Sequence, residues 1–415
     1  MRKVLLGLVI VSTINLYAQD IKDNWLKDVS ELENKLKSQD HLFSLLTKSK
    51  FSLLINDFKN HGITNNEEEN YWALSKIINQ FKDLNLDIDK SDLKKYPFRC
   101  SRFNNGIYIT GVHIDYDTLK GVKLVAINAV PLSKIISKIK KYSDKNPIVL
   151  LNSKSLLEIL KISDSDTLKL SVIMPNKLKK TFKLPYMGYY DEDELYTIIP
   201  YKTPFYKRKD NRWFWSYGIN YGQQLYFKYN IGLSKEYFLK MKDSLDWNIR
   251  TAASKNNIYM QAAIDAPKFK EFSEKIIAKF KKRRYKKLFI DLRGNTKGSI
   301  ITLREFINTI SKHKRLKKRK RVYLFIDKTM SSSALATVLE LQRKVKVKII
   351  GEEVTNSVND TSDIEEILLP KTEITLTYPI RKFNVVTIIP DLRILQSFEN
   401  YKSGVDAVLQ KALDY

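Results

Sequence analysis

Residues 288–352 alternate short apolar runs with segments of helical period, and this alternation limits the possible folds more than any other feature. LFIDL (288–292) is a strand-length apolar run, and RGNTKGS (293–299) has the composition of a turn. Ile300, Leu303, Phe306, Ile307 and Ile310 then recur at helical spacing. VYLFID (322–327) reads as a second buried strand, and KTMSSSA (328–334) turns the chain. Ala334, Leu335, Val338 and Leu341 mark the next helix, and VKVKIIGE (345–352) a third strand. Strands separated by helices of this length pair through crossovers, which predicts a parallel sheet. The cluster Ser331-Ser332-Ser333 falls where the second strand becomes a helix. A helix N-terminus offers unbonded backbone N–H groups and a positive dipole end, a recurring setting for a nucleophilic serine and its oxyanion.

Residues 1–18 have the pattern of a secretory signal. Arg2 and Lys3 supply a charged start, residues 4–14 are mostly apolar, and Ala18 precedes the expected cut before Gln19. The apolar run is too short to span a bilayer, and no later stretch of about 20 apolar residues follows. The expectation is an exported protein, periplasmic or secreted, with no transmembrane segment once the signal is removed. No cysteine follows the hydrophobic stretch, which argues against a lipoprotein anchor. Cys100 is the sole cysteine, so an internal disulfide is excluded and stability must come from an apolar core. It lies in PFRC (97–100), which reads as a strand entry rather than as a nucleophile site.

The formal net charge is +27. Residues 268–348 hold 26 Lys and Arg against 6 Asp and Glu, concentrated in KKRRYKK (281–287) and KHKRLKKRKR (312–321). One reading is a solvated surface with cations at helix C-termini. The other is a surface for an anionic partner, and export then favours an anionic envelope component over nucleic acid.

Along the chain, residues 19–95 read as a helical region, with Trp25, Val29, Leu32 and Leu36 on one face. Residues 96–190 read as a small β-rich module. It contains the alternating GIYITGVHI (106–114), an amphipathic helix near 131–139, and a hairpin across Asn176. Residues 191–415 read as the α/β domain. Their first part, to about 215, has linker composition, and QLYFKYN (224–230) reads as the opening strand. ILLPKTEITLTYPI (367–380) adds further strands. No cofactor is expected, because the thirteen glycines are scattered and form no phosphate loop. No metal is expected either, because His, Cys, Asp and Glu nowhere take ligand spacing.

From about residue 70 onward the chain resembles the tail-specific, or C-terminal-processing, serine peptidases. The likeness is to the exported bacterial branch with an N-terminal helical region and a PDZ-like module. LFIDLRGNTKGS resembles the family's strand ending in Asp-Leu-Arg-x-Asn and a glycine pair, and KTMSSSALA its nucleophile turn. KIIGEEVT (348–355) resembles the Gly-Glu strand after the nucleophile helix, and GVKLVAINAVPLSKII (121–136) the strand and helix of the module. IIPDLRI (388–394) and NYKSGVDAVLQKAL (400–413) resemble the closing segment.

The resemblance implies a ClpP/crotonase-like α/β catalytic core joined to the helical region and a PDZ-like module. It implies serine-dependent cleavage of a peptide or protein substrate, often near its C-terminus. Aligning Gly351-Glu352 with the family's Gly-Glu places the nucleophile at Ser332, with Ser331 the alternative. Helix phase agrees, since counting from Ser331 would put Glu340 on the buried face. A plain N-cap role for either serine is the competing reading. The backbone N–H groups of Gly298 and Ser333 would form the oxyanion hole.

Three family positions have changed. The lysine expected past Gly-Glu falls on Ser357, and the histidine of an Asp-x-His pattern falls on Asn85, with Asp83 kept. Asparagine hydrogen-bonds but takes up no proton at neutral pH. Lys297 replaces the first residue of the glycine pair. Of the four histidines, His41, His61, His113 and His313, none falls at the family's base, and His61 is the nearest substitute. The sequence therefore leaves three readings open: an active peptidase, a peptidase-like protein that only binds peptides, and a basic binder of an anionic envelope component.

Overall fold

Strands that are apolar along their whole length need cover on both faces, and the fold supplies it. A computed structural model of the protein describes residues 2–39, 42–43, 45–84, 86–90, 92–144, 146–188, 194–219, 221–241, 265–281, 285–295, 299–357, 364–379 and 385–415. The chain divides into two units, Met1–Ile199 with Ile364–Lys382, and Pro200–Asp363 with Phe383–Tyr415.

The first unit begins with helices α1 (Arg2–Lys37), α2 (Leu45–Asp57) and α3 (Glu67–Ile78). Trp25, Val29, Leu32 and Leu36 are buried along one face of α1, as their spacing predicts. Asn66 caps α3 by accepting from the N–H groups of Glu68 and Glu69. Strand β1 (Asp87–Asp89) follows. An antiparallel sheet is then built from β2 (Phe98–Phe103), β3 (Gly106–Val112), β4 (Lys123–Ile127), β6 (Thr167–Ile173) and β7 (Lys179–Pro185). Short strands β5 (Val130–Pro131) and β8 (Tyr196–Thr197) pair with β4 and β3. Helix α4 (Leu132–Ile139) buries Leu132, Ile135, Ile136 and Ile139, and α5 (Lys154–Ile159) is capped by Ser153. Trp72 of α3 donates its indole N–H to Ser155 of α5 at 2.9 Å. The helical and β-rich segments share one continuous hydrophobic core.

Two late strands, β15 (Ile364–Leu369) and β16 (Ile374–Pro379), form a hairpin that pairs with β1 in this unit. The sequence places strands there but assigns them to the α/β domain. Their turn is held by Asp28 of α1, a buried carboxylate that accepts from Lys371 N, Thr372 N and Thr372 Oγ1 at 2.7–2.9 Å.

The second unit is a six-stranded sheet in the order β18-β13-β12-β11-β10-β9. Strands β10 (Gln224–Tyr229), β11 (Lys287–Asp291), β12 (Val322–Ile326), β13 (Val347–Gly351) and β18 (Leu392–Arg393) are mutually parallel. The antiparallel edge strand β9 (Phe214–Ile219) opens the sheet, one strand earlier than the sequence reading, and begins at the end of the segment of linker composition. Helices α6 (Lys235–Met241), α7 (Phe269–Lys281), α8 (Ile301–Lys312) and α9 (Ser332–Lys344) belong to the crossovers. The helical reading of 239–249 lies outside the described residues beyond Met241.

Period-two alternation distributes the strand residues between two cores. Leu288, Ile290, Val322, Leu324 and Ile349 pack with Phe280, Phe306, Ile307 and Leu335 of α7, α8 and α9. Phe289, Tyr323, Phe325 and Ile350 point the other way. They meet Val408, Leu409 and Ala412 of α11 (Ala407–Leu413), which follows the short helix α10 (Phe398–Ser403). A small antiparallel pair, β14 (Val354–Ser357) with β17 (Val385–Ile388), lies beyond β13. The expected class holds: an α/β core with N-terminal helices and a β-rich module. Among the described residues no helix is long and apolar enough to cross a membrane.

Candidate functional site

The serine cluster sits where β12 ends and α9 begins, at the C-terminal edge of the parallel sheet. Ser331 is the N-cap of α9, with extended backbone and a hydroxyl that accepts from Ala334 N. Its Oγ also lies 2.9 Å from Ser333 Oγ and 3.5 Å from Asn295 Oδ1. Its N–H donates to the carbonyl of Asn295 at 2.7 Å, which ties this turn to the one after β11. Asn295 is itself fixed, because its side-chain amide donates to Tyr229 O at 3.1 Å. Ser332 is the first residue of the helix and is 9 % exposed. Among the described residues nothing hydrogen-bonds its Oγ. The opening N–H groups of a helix have no intrahelical acceptor. The Ala334 N–H is taken by the cap, and among the described residues nothing accepts from Ser332 N or Ser333 N, the arrangement that an oxyanion would use.

Beneath this turn lies a buried charged network that the sequence reading misses. Asp291 ends β11 and is fully buried. It accepts from Tyr226 Oη at 2.5 Å, from Arg293 N at 3.0 Å, and from the Arg293 guanidinium at 2.5–3.1 Å. Arg293 also grips Asp406 in a two-pronged pair at 2.9 and 2.8 Å. Asp406 is the N-cap of α11 and accepts from Leu409 N at 3.0 Å. The guanidinium lies 4.3 Å from the Tyr206 ring centroid. Lys228 of β10 is 1 % exposed, donates to the carbonyl of Arg293, and stands 3.9 Å from Asp291.

Burial alone would raise the Asp291 pKa. The charges of Arg293 and Lys228, with the hydrogen bonds from Arg293 and Tyr226, hold it below the usual carboxylate range. Burial, helped by the nearby Arg293 charge, pushes Lys228 down. Two carboxyl groups, a guanidinium and an amine thus share one buried site, and the network links the turn after β11 to the closing helix. Its sequence signal is faint. The stretch DLR (291–293) marks a strand end, but nothing local points to a partner more than a hundred residues away.

The third side of the edge is β13. Its terminal Gly351 has φ +138°, and an added Cβ would stand 2.0 Å from the carbonyl oxygen of Ile326. Glu352 follows, donating its N–H to that same oxygen at 3.1 Å. Burial raises the Glu352 carboxyl above its ordinary pKa, and Asp327 adds to the effect. Asp327 accepts from Gly294 N at 3.1 Å and from Thr329 Oγ1 at 2.8 Å, bracing the turns after β11 and β12. A cavity of about 50 Å³ opens here between Tyr206, Arg293, Asp327, Glu352, Gln396 and Asp406. Ser332 is not among its walls.

Of the remaining expected positions, Asn85, Lys297 and Gly298 lie outside the described residues. Ser357 ends β14, paired with Val385 of β17. His61 is exposed and bonded to Asp57 at 3.2 Å in the first unit. His113 caps a turn there through Nδ1. His313 follows the C-terminus of α8, at the opposite end of the sheet from the serine turn, and accepts from Arg315 N and Leu316 N. His41 lies outside the described residues. Cys100 is buried in β2, and burial pushes its thiol pKa up, away from thiolate chemistry. Among the described residues no three metal-ligating side chains come together.

No protein-family model matches the sequence, and no curated protein matches it. Solved structures do match. Mature CPAF aligns with a TM-score of 0.55 at 11 % identity, over 95 % of this chain and 96 % of its own. CPAF complexed with lactacystin gives 0.55 at 10 % identity, over 95 % and 97 %. The photosystem II D1 C-terminal processing protease covers 92 % of this chain and 96 % of its own, at 9 % identity and a TM-score of 0.36. The likeness to CPAF shows a shared fold across nearly the whole chain. The resemblance carried by the motifs holds at the level of that fold.

Proposed function

We propose that the chain is a serine-type peptidase of the tail-specific kind, acting on peptides or protein C-termini, with Ser332 as its nucleophile. The observation that carries this reading is the division of labour in the serine cluster. Ser331 is spent on the cap, while Ser332 opens the helix with a hydroxyl and N–H that no described residue bonds. Hydroxyl attack on a carbonyl there would place the oxyanion at the Ser332 and Ser333 N–H groups.

Incubation with a broad fluorophosphonate probe, followed by peptide mapping, tests it. The label should sit on Ser332 and vanish in Ser332→Ala. Ser331→Ala should keep the label and lose about 1 kcal/mol of stability through the lost cap. Labelling at another residue would overturn the assignment.

A second reading has its own support: no described titratable side chain hydrogen-bonds Ser332 Oγ, and the resemblance puts Asn85 and Ser357 at the two base positions. The protein would then bind peptides without turnover. Well-folded protein that takes no label yet binds C-terminal peptides by calorimetry would decide for it. Export to the periplasm or beyond belongs to the same proposal and rests on residues 1–18. Mass spectrometry of the protein from its native host should find Gln19 at the N-terminus.

A further inference from the structure

We infer that the second unit carries a docking face for an anionic lipid surface, at the end of its sheet opposite the serine turn. Strands β11, β12 and β13 are parallel neighbours about 4.8 Å apart, and their paired residues Leu288, Val322 and Val347 are in register. One position before each stand Lys287, Arg321 and Lys346, so three cations form a row across the strand starts. The segments 285–287, 313–321 and 345–348 that lead into these strands hold eleven Lys and Arg and no Asp or Glu.

Helix C-termini account for little of this charge. α7, α8 and α9 all end at this edge, and each end equals about half a negative charge, so the three offset about one and a half cations. Arg315 is spent on the carbonyls of Phe280 and Tyr285, and Arg321 on that of Lys286. Lys314, Lys317, Lys318, Arg319 and Lys320 are exposed and form no ion pair with a described residue. Lys287 feels the surplus: burial comes first, but Arg321 and Lys320 also push its pKa down. A charge array that no described acidic residue pairs with is matched by phosphate groups outside it.

The kind of anion follows from what accompanies the cations. Binders of single-stranded nucleic acid interleave basic residues with exposed aromatics that stack on bases. Here Tyr285 and Tyr323 are buried in the core, and the one exposed ring set against these cations, Tyr415 beside Lys348 among the described residues, is no interleaved series. Cations spread across adjacent strand ends and one long loop fit a two-dimensional field of headgroups.

The test is vesicle sedimentation of the full-length chain. An equal mixture of phosphatidylglycerol and phosphatidylcholine should pull it down, phosphatidylcholine alone should not, and salt at about 0.5 M should release it. Lys317→Glu, Lys318→Glu and Arg319→Glu combined should weaken binding by about a hundredfold or more. The same reversal at Lys177, Lys179 and Lys180 of the first unit should leave binding near the parent value. Equal loss in both triple variants, binding to neutral vesicles, or tighter binding to duplex DNA at matched phosphate would overturn the inference. Thermal melting of each variant confirms that it is folded. The outcome is independent of Ser332, so fluorophosphonate labelling should be unchanged in the basic-face variant.

Discussion

Arg293→Met lowers the unfolding free energy by about 3–5 kcal/mol, because it removes the one cation that two buried carboxylates share. Asp291 is fully buried and Asp406 is 7 % exposed, and both take their shortest bonds to a cation from this guanidinium. Methionine matches the length of the stem but supplies no donor. Lys228 stays within 3.9 Å of Asp291 and compensates only one of the two anions. Urea denaturation at neutral pH measures the loss. A change below about 1 kcal/mol, the level of an exposed pair, would mean that the network contributes no more than a surface ion pair does.

The same network fixes the sign of the pH dependence. Arg293 and Lys228 hold Asp291 below its unfolded pKa of about 3.9. Its contribution is therefore complete above that pH and is lost as pH falls through the folded value. In Arg293→Met the balance reverses, since burial then dominates and favours the protonated acid. Acidification neutralises the stranded Asp291 carboxylate of the variant, while the parent keeps its full contribution down to about pH 3.9. The stability gap should narrow between neutral pH and about pH 4. A gap that stays constant on acidification would place the main loss in packing against Tyr206 and Phe325 rather than in charge.

How far the sequence foretells this molecule depends on whether the physics is local. β12 is buried along its whole length and is an unbroken apolar run, and β11 and β13 carry the shorter buried runs 288–290 and 349–351, all readable without any partner. The edge strand β9 is different. It mixes Phe214 and Trp215 with the exposed Tyr217 and follows a Pro- and Tyr-rich stretch, so its composition matches a linker. The β15–β16 hairpin is visible as two strands, but its partner β1 lies almost 300 residues earlier, and alternation carries no address. The site divides in the same way. A serine cluster at a strand-to-helix turn is legible, yet which serine caps depends on where the first helical residue falls, a matter of one residue. The pairing of Arg293 with Asp406 bridges 113 positions and leaves no trace in either neighbourhood.

Gly351→Ala is the second large effect, and Gly294→Ala is the control that isolates its cause. Both glycines have positive φ, +138° and +67° respectively. A Cβ at Gly294 meets nothing within 4 Å, so alanine there costs only the left-handed backbone, about 1–2 kcal/mol. A Cβ at Gly351 would stand 2.0 Å from Ile326 O and 3.0 Å from Ile326 C. Those atoms are backbone at the centre of the sheet, where no side chain can rotate away. Relief requires β13 to move off β12, which breaks the bond from Glu352 N to Ile326 O and leaves a buried carbonyl unpaired. Backbone strain of about 1–3 kcal/mol and an orphaned acceptor of about 1–3 kcal/mol together give a loss of several kcal/mol. Ile326 is also the last residue of β12, five positions before the cap Ser331, so the displacement enters the serine turn directly. Gly351→Ala should therefore slow labelling of Ser332 even at temperatures where the variant remains folded, while Gly294→Ala should label at nearly the parent rate. Equal destabilisation by the two substitutions would show that the close approach of β12 and β13 relaxes freely, and that the glycine serves only its dihedral angle.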